Sequence, residues 1–329
     1  MQPLRIAVAQ IAPALGLLDE NIERHRALLA DARARGVGLV VFPELGLTGY
    51  LLQDLAPEVA MRLDDPRLRR LADDTRGLSA IVSFVEESPD HRLFIAAALV
   101  EDGEVRSVHR KLFLPTYGLF DERRFFAAGD SLRAFPSRLG VPIGISICED
   151  FWHLGVPSLL ALDGAQILVN VSSSPGQDVT SAREEGPGTA TSWRQLLRTY
   201  AQLTTSFVVF CNRVGVDETI GFWGGSEVVG PDGATLLSAP LYDEGLFVVD
   251  VELGDVRRER IALPLLRDER PELAARELQR IVAERAGLVQ DDAGSAPGSA
   301  SGSAPAPAAA SAQGASPAPD GPGPGGDAR

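Results

Sequence analysis

Residues 144–152 read GISICEDFW. The run IGISI (143–147) is continuously apolar but for one serine, which points to a strand buried on both faces. It ends at Cys148, and Glu149 and Asp150 follow directly. A structural cysteine would lie inside such a run, whereas this one stands where the strand opens. Negative charge beside a thiol opposes the thiolate, so a cation would have to be brought in from elsewhere for this cysteine to react.

Similar runs recur outward from this one. RIAVAQ (5–10), VGLVVF (37–42), SAIVSFV (79–85), LFIAAALV (93–100), ILVNVS (167–172), FVVFCN (207–212) and LFVVDV (246–251) read as strands. Between them, residues 22–35, 156–164 and 191–206 carry helical patterns, the last opened by a Thr/Ser cap signal. Asp102-Gly103 marks one hairpin turn and Pro231-Asp232-Gly233 another. Strands alternating with helices, with hairpins added, imply an α/β layered fold with a mixed sheet. In such folds chemistry gathers where strands end. Glu44 follows VVFP, Lys111 follows the first hairpin, and Cys148 follows GISI.

The bulk numbers set limits. A chain of 329 residues with 45% apolar and 23% charged content has the composition of a globular protein. A net charge of −14 argues against a nucleic-acid partner, which would draw a basic stripe. Cys148 and Cys211 are too few for a disulfide scaffold, and no spacing implies a metal site or cofactor. The start, MQPLRIAVAQIAP, lacks the basic and long apolar regions of a signal peptide, and no stretch reads as a membrane span. The expected compartment is the cytoplasm. Near residue 290 the composition turns to Ala, Gly, Ser and Pro, so the expected organisation is a folded domain over 1–288 and a disordered tail over 289–329, with a flexible tether as the tail's other reading.

Each of Glu44, Lys111 and Cys148 alone has an ordinary reading, as a loop acid, a surface charge and a small buried side chain. Together they fill distinct chemical needs. Glu44 can serve as general base to the thiol and later to water. Lys111 can hold positive charge beside the thiolate and a developing oxyanion, with the N–H of Glu149 as second donor. At about 4 Å and an effective dielectric of about 20, that attraction is on the order of 4 kcal/mol. This would lower a thiol pKa by roughly 3, enough to offset Glu149 and Asp150 if they point away.

VVFPELGLTGY (40–50), HRKLFLPTYGLFDERRFFAAG (109–129) and GISICEDFW resemble the signature blocks of the nitrilase superfamily of carbon–nitrogen hydrolases. The wording of the second and third blocks, with NVSSSP (170–175) and residues 212–233, is similar to the glutaminase domain of glutamine-dependent NAD synthetases. The resemblance spans about residues 4–270. It implies a four-layer αββα sandwich, a Glu44–Lys111–Cys148 triad, no metal and no cofactor, and a homodimer or higher homo-oligomer. It places Tyr50, Tyr117 and Phe120 at the substrate pocket, with Trp152 and Ser173 as further candidates. Glu122 would support the triad by orienting Lys111, or else pair with Arg123 or Arg124. Trp223 reads equally as pocket or core.

The sequence departs from that branch in two ways. It has no Ser-Gly-Gly-type ATP loop, and SSSP runs into the polar stretch GQDVTSAREEGPGTATSW, whose first arginine is Arg183. GVGLVV (36–41) precedes a strand and is no dinucleotide loop, and GISIC is no Gly-x-Ser-x-Gly elbow. A Cys–His pair using His109 or His153 would leave Glu44 and Lys111 unexplained. The reading is a thiol amidohydrolase that acts on a small-molecule amide and releases ammonia or an amine. Its rivals are a free-standing glutaminase subunit feeding ammonia to a separate synthetase, an enzyme for nitriles or N-carbamoyl compounds, and a retired scaffold that kept the fold.

Overall fold

The computed structural model describes residues 3–176 and 187–287. One compact unit runs to Glu269, and a second begins at Arg270. Arg183 and the tail expected over 289–329 lie outside the described residues. The first half of the chain supplies β1 (Leu4–Gln10), β2 (Leu39–Val41), β3 (Ser79–Glu87), β4 (Leu93–Glu101) and β5 (Glu104–Arg110). The second supplies β6 (Ala134–Phe135), β7 (Ile143–Ile147), β8 (Ile167–Ser172), β9 (Phe207–Asn212), β10 (Val214–Asp217), β11 (Ile220–Trp223), β12 (Glu227–Val229), β13 (Thr235–Ser238) and β14 (Gly245–Val251). The helices are α1 (Leu18–Ala34), α2 (Ala56–Val59), α3 (Pro66–Asp73), α4 (Gly155–Leu162), α5 (Gly188–Thr204), α6 (Gly254–Ala262), α7 (Leu265–Asp268) and, in the second unit, α8 (Pro271–Arg285).

Two six-stranded mixed sheets form, ordered β14-β1-β2-β3-β4-β5 and β13-β12-β9-β8-β7-β6. Each has a parallel centre, β1-β2-β3 in one and β7-β8-β9 in the other, and antiparallel strands outside it. The alternation of side chains along a strand divides the core into layers. Ile6, Val8, Val41 and Ile95 of the first sheet face Ile143, Ile145, Val169 and Val209 of the second. The opposite faces pack against helices. Ala7, Val40 and Val82 meet Ile22 and Leu29 of α1 and Leu71 of α3, while Leu168, Val208 and Phe210 meet Leu160 of α4 and Trp193 and Leu197 of α5. Every strand of the two parallel centres is therefore covered on both faces, which is why those runs read as nearly continuous apolar sequence. The result is the four-layer αββα sandwich.

Local signals resolve as the chemistry requires. Asp102 and Gly103 both have positive φ (50° and 92°), the geometry of a tight two-residue hairpin between β4 and β5. The Pro231-Asp232-Gly233 turn closes with the Gly233 N–H donating to the Gly230 carbonyl, between paired β12 and β13. One expectation is corrected. Thr191 and Ser192 do not cap α5; the helix starts at Gly188, and the Ser192 hydroxyl donates back to the Gly188 carbonyl at 3.3 Å from one turn further along. No described helix is long and apolar enough to cross a membrane.

Candidate active site

Three strand ends meet, two from the first sheet and one from the second. Glu44 follows β2, Lys111 follows β5 directly, and Cys148 follows β7 directly. Glu44 and Lys111 are fully buried. The Lys111 ammonium donates to Glu44 Oε1 at 2.8 Å and to Glu122 Oε1 at 2.7 Å. The second oxygen of Glu44 accepts the Ser173 N–H at 2.8 Å, and the Ser173 hydroxyl donates to the Glu44 carbonyl at 2.9 Å. Glu44 is thus held from both sheets. Cys148 opens a short 3₁₀ turn (Cys148–Trp152) with φ at 45°, a left-handed conformation that costs a non-glycine residue roughly 1–2 kcal/mol. That reversal turns the cysteine out of the strand line. Its Sγ accepts from the Ser172 hydroxyl at 3.2 Å.

The charges act on one another. Burial disfavours the Lys111 ammonium, but Glu122 and Glu44 outweigh it and hold the lysine well above its ordinary value. Burial pushes Glu122 up from 4.5 to about 7, with Glu44 adding to the rise and Lys111 opposing it. Burial and the Glu44 carboxylate push the Cys148 thiol well up, against the pull of Lys111 and the Ser172 hydrogen bond. The sequence weighed Lys111 against Glu149 and Asp150 only; in the fold, burial and Glu44 oppose the thiolate as well. At neutral pH the resting cysteine is a thiol, and its proton must leave during attack.

The two acids after Cys148 have separate uses. The Glu149 carboxylate accepts from the Tyr117 hydroxyl at 2.9 Å. Asp150 is fully buried and accepts four donors: the N–H groups of Leu112 and Phe113 on Oδ1, and the Ile147 N–H and His109 Nε2 on Oδ2. The Glu149 N–H lies in the first turn of the 3₁₀ segment, where N–H groups lack intrahelical acceptors.

The remaining candidates fall in different places. Tyr50 is buried, its hydroxyl donating to Glu122 Oε1 at 2.6 Å and its ring set edge-on to Phe120 and Phe222. Tyr50, Phe120 and Glu122 share a cavity of about 220 Å³ with Leu52, Leu119 and Phe126. Cys148 is not among its lining residues. Tyr117 is 57% exposed and lies edge-on to Phe120. Trp152 lines a separate, larger groove with Phe113, His153 and Leu159, its ring edge-on to Trp193. Ser173 has both polar groups engaged with Glu44. Trp223 is buried and stacks on Phe210. His109 bonds Asp150, and His153 stacks on Phe113.

Sequence reasoning missed two groups. Asp150 was legible only as an acid beside a thiol, and nothing local marks its four donors. The buried bidentate pair Arg213–Asp217 (2.6 and 2.7 Å) was also missed. Asp217 also accepts the Tyr50 N–H at 3.0 Å, so it ties the Tyr50 loop to the β10–β11 hairpin.

The chain is similar to proteins of known kind. The chain is 34% identical over 273 residues to a glutamine-dependent NAD(+) synthetase of Thermotoga maritima, covering 80% of this chain and 45% of that one. It spans about half the length of the curated relatives it matches. Among solved structures, a carbon–nitrogen hydrolase from Helicobacter pylori G27 superposes with a TM-score of 0.71 at 26% identity, covering 82% of this chain and 96% of that one. A mutant of the amidase from Nesterenkonia sp. AN1, with the acetamide moiety of fluoroacetamide added covalently at its active site cysteine, superposes with a TM-score of 0.69 at 25% identity, covering 84% and 97%. The carbon–nitrogen hydrolase family model matches residues 5–260, and this chain belongs to that family.

Proposed function

We propose that the chain is a thiol amidohydrolase in which Cys148 is the nucleophile, Glu44 the general base and Lys111 the oxyanion partner. One observation carries the reading: a fully buried lysine bridges two carboxylates at 2.7–2.8 Å, within electrostatic reach of a cysteine held in a strained turn. No packing need accounts for that arrangement, since an ion cluster taken out of water is costly.

Cys148 Sγ attacks the amide carbonyl carbon as its proton passes to Glu44. Lys111 and the Glu149 N–H receive the oxyanion. Glu44 then protonates the leaving nitrogen, the carbon–nitrogen bond breaks, and a thioester remains. Glu44 takes a proton from water, the hydroxide adds to the thioester carbon, and the carboxylic acid leaves as the thiol is restored. Because the resting group is a thiol, the base and nucleophile must act together. Glu122, bound to Lys111 and Tyr50, keeps the lysine in place through both halves.

Likeness to glutamine-dependent synthetases over about half their length favours a second reading of the substrate. In it the amide is glutamine and the ammonia passes to a separate synthetase. Ammonia release from a panel of amides, nitriles and N-carbamoyl compounds, including glutamine and asparagine, tests both. The expected result is turnover that disappears in Cys148→Ala; turnover unchanged in that variant would overturn the mechanism.

A further inference from the structure

The four donors on Asp150 come from two places that the reaction must keep in register. The His109 ring and the N–H groups of Leu112 and Phe113 bracket Lys111 along the end of β5. The Ile147 N–H immediately precedes Cys148 at the end of β7. The three backbone N–H groups can only donate, and the His109 ring completes the set at 2.9 Å. All acceptor sites of a fully buried carboxylate are thereby spent on fixing two strand ends from different sheets. Glu44 meets this clamp only through its bond to Lys111, and Ser173 holds its other oxygen and its carbonyl separately.

We propose that Asp150, oriented by His109, is a positioning residue that sets the Lys111 ammonium relative to the Cys148 thiol. It rests on the reading of Cys148 as nucleophile, but its geometry does not require a particular substrate. Asp150 touches no reacting atom. It acts through the backbone on either side of Lys111 and just before Cys148.

The opposing effects of charge and position make the idea testable. Removing the Asp150 charge should by itself ease ionisation of the nearby thiol. Letting Lys111 drift from Cys148 should hinder it, since Glu44 and Glu122 still face the thiol and still raise it. The measurement is the pH dependence of iodoacetamide alkylation at Cys148 in the intact protein, followed by mass spectrometry. In Asp150→Asn the alkylation midpoint should move up, and the kcat for the best amide should fall about 100-fold with KM little changed, the scale expected for a small misplacement of reacting groups. A midpoint that moves down, or an unchanged kcat, overturns the proposal.

His109 supplies the second variant, should Asp150→Asn not fold. His109→Ala should lower kcat, and His109→Gln, which can present an N–H donor to Asp150, should restore most of it. Equal effects of the two substitutions would overturn the role given to His109. If the wild type hydrolyses no amide yet the midpoint rises in Asp150→Asn, the positioning role stands and the amidohydrolase reading is what fails.

Discussion

Glu122 is a carboxyl with its two oxygens in unlike surroundings. Oε1 accepts from both Lys111 and Tyr50, whereas Oε2 is buried with no hydrogen-bond partner among the described residues. Burial therefore holds its pKa at about 7, above the ordinary 4.5, in spite of Lys111. A carboxyl raised on folding stabilises the native state when it is protonated. That contribution is complete below 4.5 and is lost as pH rises through about 7. Glu122→Gln cannot titrate and removes the pH-dependent part. Urea unfolding at pH 4.5, 6 and 7.5 should show the wild type losing, relative to Glu122→Gln, up to about 3 kcal/mol across that range. Parallel curves would mean that Glu122 is ionised throughout. The same variant keeps an acceptor for Lys111 but no charge, so a fall in kcat by at least about tenfold is expected if the carboxylate steadies the ammonium during reaction.

At the scale of elements, the site depends on how closely backbones approach. The Gly129 N–H donates to the Lys111 carbonyl at 2.8 Å, and a Cβ at position 129 would lie 2.4 Å from the Arg110 carbonyl oxygen. That contact is with backbone, so no side chain can yield, and Gly129→Ala must push the returning segment off the end of β5. The expected outcome is a lower melting temperature, by several degrees for a loss of about 1–3 kcal/mol, together with reduced turnover. A variant with wild-type melting and activity would show that the segment shifts freely. What was legible in the sequence divides along the same line. Strands buried on both faces announce themselves as apolar runs, so β1, β3, β4, β7, β8, β9 and β14 were read close to their ends, β2 was read longer than its three residues, β5 came with its hairpin turn, and the three strand-end residues followed from β2, β5 and β7. The short β6 and the β10–β11 hairpin were not read, nor were α3 and α6. Their sequences are charged or glycine-broken, and tertiary contacts such as Arg213–Asp217 hold them rather than any periodic pattern. Asp150 escaped for a related reason: three of its four donors, the His109 ring and the N–H groups of Leu112 and Phe113, lie 37 or more residues away in sequence, and no motif records them.

For the molecule as a whole, the question is what the residues after the sandwich contribute. The inter-sheet core and both sheet–helix cores are built from residues between Ile6 and Val256. The strand that completes the first sheet, β14, ends at Val251. Residues 289–329 contain no aromatic side chain and, apart from Val289, no Leu, Ile or Val, so they have little apolar surface to add. Truncation after Leu288 should therefore leave the melting temperature and the kcat for free amides unchanged. Purified protein with and without the tail, compared by calorimetry and ammonia release, checks this. A fall in melting temperature would show that the tail packs on the sandwich. The tether reading makes a different demand: if an ammonia-accepting synthetase is found, the truncated chain should keep its own turnover but need a higher partner concentration to couple to it, because a tether acts by raising effective concentration and leaves the chemistry alone. Loss of coupling with intrinsic turnover intact would separate the tail's role from that of the Glu44–Lys111–Cys148 centre.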